Sequence, residues 1–170
     1  MRKTLLRDMF ARPLTEPLTR PDPQVVELAR ALDAAAQRQL GRSLSIRALD
    51  AGSCNGCELE MHALSNAFYD LERFGLRFVA SPRHADVLMV TGIVTRAMRV
   101  ALERTDQAMP RPRWVVAVGA CARDGGVFAA SPQGMGGVGA VLPVDLYIAG
   151  CPPSPADLLA GLLALLQQKT

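Results

Sequence analysis

From residue 45 onward, short apolar runs alternate with stretches in which apolar positions recur every three or four residues. The short runs have strand length, and they predict strands over 45–51, 76–80, 86–91, 113–118 and 144–149. Between them, residues 58–73 place Met61, Leu64, Phe68 and Leu71 on one helical face, which stops near Gly75. Residues 95–108 do the same with Met98, Ala101, Leu102 and Thr105. Ser154-Pro155-Ala156-Asp157 reads as a helix cap with proline in the first turn, opening a leucine-rich final helix. Upstream, Asp22-Pro23 opens a helix over 24–40 with Val25, Leu28, Ala29, Leu32, Ala36 and Leu40 in phase, ended by Gly41.

Strands that are apolar throughout and alternate with helices belong to a parallel sheet covered on both faces. Five of them with short connections predict an α/β fold, a flavodoxin-like doubly wound parallel sheet over residues 45–170. An N-terminal arm and helix, residues 1–44, precede it, with helix 24–40 expected to lie outside the main fold. Four prolines between Pro13 and Pro23 exclude a long helix in the arm. The Gly-rich run 134–139 falls in the long connection before the last strand, a place where loops are often functional.

Composition narrows the function classes. With 49% hydrophobic and 21% charged residues the chain is globular. The longest apolar stretch, about 158–166, is far short of the ~20 residues that span a bilayer. The N-terminus carries no secretory h-region and no twin-arginine pair, so a cytoplasmic protein with reduced thiols is expected. The net charge of +3 is accounted for by residues 1–20, which hold five basic and two acidic side chains. The rest is neutral and offers no basic stripe, so nucleic acid is not an expected partner. The arm is read either as a docking segment for a protein or membrane-proximal surface or as a solvated terminus.

The candidate chemistry is in the four cysteines. Cys54 and Cys57 form a Cys-x-x-Cys pair after the first predicted strand, Cys121 ends the fourth and Cys151 ends the fifth. In an open parallel sheet the loops after all strands share one edge, where ligands bind. All four thiols therefore belong to that edge, and Gly52, Gly56, Gly119, Gly125-Gly126 and Gly150 beside them allow close backbone approach. Four thiolates so placed are read as holders of an iron–sulfur cluster. Cys151-Pro152 has the Cys-Pro form common in ferredoxin-type ligation. Inert buried cysteine, a structural zinc site in a non-redox scaffold and a thioredoxin-type pair are the alternatives.

Ser53-Cys54-Asn55-Gly56-Cys57-Glu58, Gly119-Ala120-Cys121-Ala122 and Gly150-Cys151-Pro152-Pro153 resemble the small subunit of membrane-associated, energy-converting [NiFe] hydrogenases of the formate hydrogenlyase, CO-induced and Ech types. These stretches, with 81–86 and 144–147, also resemble the homologous B (PSST) subunit of respiratory complex I. The likeness covers roughly 45–168. It implies one [4Fe-4S] cluster held by Cys54, Cys57, Cys121 and Cys151, next to the NiFe site of a partner large subunit. Other implied partners are a ferredoxin-like iron–sulfur subunit and membrane-arm subunits, with the chain peripheral on the cytoplasmic side of the inner membrane.

The Cys54-x-x-Cys57 spacing is similar to the hydrogenase branch, whereas the complex I branch carries adjacent cysteines. A quinone-reducing, complex I-like subunit is the second expectation. Uptake hydrogenase small subunits add a leader and a C-terminal cluster domain, and neither is expected here. Glu58 and Glu60 are read as proton carriers near the cluster or as helix N-terminal carboxylates, Glu60 matching the acidic position of the complex I branch. Arg83 and Arg123 are read as cluster-edge charges or as surface ion pairs. His62, His84 and the methionines Met61, Met89 and Met98 are read as structural.

Overall fold

The computed structural model describes residues 22–168; the basic arm expected over 1–20 lies outside the described residues. Helix α1 (Pro23–Leu40) starts where the Asp22 carboxylate accepts the Gln24 N–H at 2.9 Å, and ends at Gly41, whose φ of 65° suits glycine. Its stripe of Val25, Ala29, Leu32, Ala35 and Ala36 is buried. These residues share one core with Leu158, Leu162 and Leu165 of the C-terminal helix α5 (Pro155–Gln168) and with Ile46, Met89 and Val116 of the sheet. The expectation of a helix outside the main fold is therefore corrected. The amphipathic stripe announced a buried face, and the surface it covers is α5. Leu32→Ala, at a side chain with no exposed surface, is expected to cost about 2–5 kcal/mol in urea unfolding. A helix apart from the core would lose almost nothing.

Five parallel strands lie in the order β2-β1-β3-β4-β5. They are β1 (Ser45–Asp50), β2 (Arg77–Phe78), β3 (Val87–Thr91), β4 (Trp114–Val118) and β5 (Leu146–Ile148). The flavodoxin-like order places the switch point between β1 and β3. Alternate residues of β3 and β4 enter two cores: Val87, Met89, Val116 and Val118 on the α1/α5 face, Leu88, Val90, Val115 and Ala117 on the other. Burial on both faces is why these strands are continuous in their apolar character.

Three helical boundaries differ from the sequence expectation. The predicted helix 58–73 is two pieces, α2 (Gly56–Ala63) and a 3₁₀ turn (Leu71–Phe74). Asn66 divides them, because its side-chain oxygen accepts the N–H groups of Phe68 and Tyr69 at 2.8 and 3.0 Å, an alternative to helical bonding. Helix α3 (Arg99–Ala108) begins later than 95, since the Thr95 N–H and hydroxyl are both bonded to the Ala51 carbonyl. A short helix, α4 (Gly119–Asp124), directly follows β4. Cys121 is thus inside a helical turn rather than at a strand end. Among the described residues no helix is long and apolar enough to cross a membrane.

Candidate metal centre

The loop after β1 carries Cys54 and is fixed at its start. Asp50 Oδ1 accepts the N–H groups of Gly52 and Ser53, each at 2.8 Å, and the Asn55 N–H bonds Ser53 Oγ at 3.0 Å. The loop after β3 braces it from the side: a Cβ on Gly92 would stand 2.4 Å from the Ser53 nitrogen, so only glycine permits this approach. Asn55, at φ 70°, then turns the chain into α2, and Cys57 falls in its first turn, half-buried. The helix N-terminus presents its positive end to the same side.

From the other half of the sheet, Cys121 sits in α4 at 8% exposure, and Cys151 follows β5 and is exposed. The Ala120 N–H donates to the Gly150 carbonyl at 2.8 Å, tying the two cysteine loops together. Gly119, at φ 85°, joins them to the first loop. A Cβ on it would lie 2.7 Å from Cys57 Sγ and 3.4 Å from the Gly150 oxygen. On the opposite flank a Cβ on Gly56 would lie 3.6 Å from Cys54 Sγ and 3.9 Å from Pro152. The loops after β1, β4 and β5 therefore meet in one notch at the carboxyl edge of the sheet, beside the switch point.

The thiols act on one another electrically. Burial pushes the Cys57 thiol up to about 11, with Glu58 and then Cys121, Cys54 and Cys151 adding to it. Burial also raises Cys121, chiefly reinforced by Cys151, while the Val127 backbone N–H draws it down. Four converging thiolates would repel in this half-dry notch, so the ionised set needs a cationic core, and loading one must release protons. Among the described residues no group of three or more His, Cys, Asp or Glu side chains is set to hold a metal ion.

The other sequence candidates are placed as follows. Glu58 lines a cavity of about 380 Å³ with Arg47, Met61, His62 and Phe78. Both its carboxylate oxygens and Arg47 Nε are buried without a hydrogen-bond partner there. Arg47 escaped sequence reading, because one arginine in an apolar strand gives no sign of what it faces. Glu60 is half-buried on α2 and lines no part of this cavity. Arg83 is exposed on the connection into the start of β3, whereas the cysteines follow strand ends; the cluster-edge reading of Arg83 is thereby corrected. Arg123 is two residues past Cys121 and is engaged by the neighbouring Asp124 at 3.0 Å, an ordinary surface pair. His62 and His84 are exposed.

Known proteins share both the sequence and the fold. Formate hydrogenlyase subunit 7 of Escherichia coli K12 is 44% identical over 153 residues, 88% of this chain and 60% of its own length. Probable membrane-bound hydrogenase subunit mbhJ of Pyrococcus furiosus is 41% identical over 76% of this chain and 77% of its own length. The NADH-quinone oxidoreductase B subunit of Citrifermentans bemidjiense is 50% identical over 109 residues, 64% of each chain. The chain thus spans less than two thirds of the length of two of these relatives. A chain of the archaeal membrane-bound sulfane sulfur reductase, a respiratory membrane complex, superposes with a TM-score of 0.67 at 34% identity, covering 82% of this chain and 75% of that one. A chain of an NAD⁺-reducing [NiFe]-hydrogenase shares the fold at a TM-score of 0.61 and 21% identity, covering 75% of this chain and 93% of that one. The family described as NADH ubiquinone oxidoreductase, 20 Kd subunit, matches residues 54–165, from the first cysteine well into α5. Its relatives being subunits of hydrogenase and NADH-quinone oxidoreductase complexes, the chain belongs to this 20 kDa oxidoreductase-subunit family.

Proposed function

We propose that this chain is an electron-transfer subunit in which Cys54, Cys57, Cys121 and Cys151 hold one [4Fe-4S] cluster beside the NiFe site of a hydrogenase large subunit. The observation that carries it is the single notch in which the segments after β1, β4 and β5 bring the four cysteines together. The residues fit such a group. Four thiols carried by three separate loops offer one thiolate to each iron of a cubane. Gly119 and Gly56 leave beside Cys57 and Cys54 the space that side chains would otherwise fill.

Bound there, the cluster supplies a one-electron relay. The chain's own part is to hold and orient it. The positive end of α2, in whose first turn Cys57 lies, favours the added electron. Cys54 and Cys151 remain exposed, which leaves a side of the notch open for a partner's redox centre. Leu59, Val127 and Phe128, at 62%, 79% and 37% exposure, are exposed apolar side chains near the cysteine loops in sequence. A ferredoxin-like subunit and membrane-arm subunits complete the proposed assembly, with the chain peripheral at the cytoplasmic face of the membrane.

The second reading, a complex I-like subunit whose cluster reduces quinone, is favoured by the 50% identity to the NADH-quinone oxidoreductase relative. The Cys54-x-x-Cys57 spacing and the two hydrogenase relatives favour the first. Electron-spin spectra of the complex assembled with its native partners separate the two. Reduction of the cluster under hydrogen supports the hydrogenase reading. A cluster silent under hydrogen yet reduced by NADH or quinol would replace it with the second.

A further inference from the structure

The loop after β3, residues 92–96, reaches the same edge of the sheet without supplying a cysteine. It is bonded to both sides of the notch. Toward Cys54, the Thr95 N–H and hydroxyl both donate to the Ala51 carbonyl at 3.0 Å. Away from it, the loop pairs antiparallel with the Gly-rich connection, centred on Thr95 and Gly134. The Val94 N–H donates to the Gly136 carbonyl at 3.0 Å, and the Val94 carbonyl accepts the Met135 N–H at 2.7 Å. The Arg96 N–H donates to the Gln133 carbonyl at 3.0 Å. The connection then lies on α4, since a Cβ on Gly137 would stand 2.1 Å from the Arg123 carbonyl oxygen. Backbone contacts therefore run unbroken from the Cys54 loop, through 92–96 and 133–137, to the helix that carries Cys121.

Ile93 stands in the middle of this path. It is 3% exposed, yet it belongs to neither of the two hydrophobic cores. What encloses it is loop backbone. Its Cδ1 is 2.3 Å from where a Cβ on Gly134 would be, and 3.3 Å from where one on Gly125 would be. Its Cγ2 and carbonyl oxygen are 3.7 and 2.8 Å from the corresponding point on Gly52. Gly52 is two residues before Cys54, and Gly125 is four after Cys121. In a close-packed interior, a side chain lodged between two segments fixes how far apart they stand.

The geometry points to Ile93 as a positioning residue, whose side chain spaces the Cys54 loop from the turn after α4 and so sets the separation at which Cys54 and Cys121 meet the cluster. The Gly-rich run is the backing it bears on, with no Cβ at Gly134 to occupy the place of Cδ1. This rests on the cluster reading, and Ile93 acts through the two loops without touching a ligand atom.

Ile93→Val removes Cδ1 and with it the bearing on Gly125 and Gly134. Ile46→Val removes the same methyl from a fully buried side chain of the α1/α5 core, in the amino half of β1. In the complex assembled with its native partner subunits, the two variants should lose similar thermal stability. Only Ile93→Val should shift the electron-spin spectrum of the reduced cluster, and it should lose iron to a chelator about tenfold faster than Ile46→Val. A wild-type spectrum and equal iron loss in the two variants overturn the inference while leaving the ligand reading intact. A wild-type complex with no cluster signal overturns both.

A compensating pair decides the matter even if Ile93→Val loads poorly. Gly134→Ala drives a methyl into the space of Ile93 Cδ1, and Ile93→Val vacates that space. The double variant should therefore recover the iron content and spectrum that Gly134→Ala alone loses. A normal cluster in Gly134→Ala, or a double variant no better than Gly134→Ala, contradicts the spacer role.

Discussion

Cys121→Ser and Cys151→Ser are each expected to lose the four-iron cluster, with electron transfer through the complex falling more than about 100-fold. A serine oxygen is a hard, weakly acidic donor where a soft thiolate is needed. The two should differ in the apoprotein. Cys151 is exposed and its replacement leaves the packed interior untouched, whereas Cys121 at 8% exposure is enclosed in α4. Both variants should unfold at lower temperature than the loaded wild type, because metal binding contributes folding free energy. Iron content and thermal unfolding of the three proteins, purified without oxygen, provide the check. A variant that keeps the full cluster spectrum and activity shows that the replaced residue is not a ligand.

Gly119→Ala should be nearly as damaging without replacing a ligand. Its φ of 85° disfavours any side chain by about 1–2 kcal/mol, and the new methyl carbon would sit 2.7 Å from Cys57 Sγ. That sulfur must move, and with it one corner of the notch. Gly41→Ala is the control, since Gly41 has φ 65° and nothing within 4 Å of where its Cβ would be. Both should lose similar backbone stability in urea. Gly119→Ala should in addition bind iron substoichiometrically and shift the cluster spectrum, while Gly41→Ala keeps both. Full, spectroscopically normal loading of Gly119→Ala would mean that this contact does not shape the site.

The central strands were legible because burial on both faces leaves them almost wholly apolar. Val87–Thr91 and Trp114–Val118 are entirely buried. Order and handedness then follow from general rules, which is how the common edge of Cys54, Cys57, Cys121 and Cys151 could be read from spacing alone. The sheet's margins were overdrawn, with β2 only two residues and β5 three. Edge pairing stops where a neighbour ends, and that is a tertiary matter.

Periodicity also carried the 58–73 helix through Asn66, whose side chain captures two backbone donors. It missed α4, because Gly119-Ala120-Cys121-Ala122-Arg123-Asp124 has little helical pattern and is held by the loops around it. Local pattern likewise shows that Leu32 needs a partner without saying that Leu162 and Leu165 supply it. The unpaired carboxylate of Glu58 facing Arg47 across a cavity belongs to the same class, since burial of a charge depends on what packs around it.

The central claim is that four thiols from three strand ends hold one iron–sulfur cubane. Iron, zinc and acid-labile sulfide measured on the anaerobically purified protein, with the electron-spin spectrum of the reduced sample, test it most directly. About four iron and four sulfide per chain, with the signal of a single reduced cubane, is the predicted result. Stoichiometric zinc without labile sulfide would contradict it.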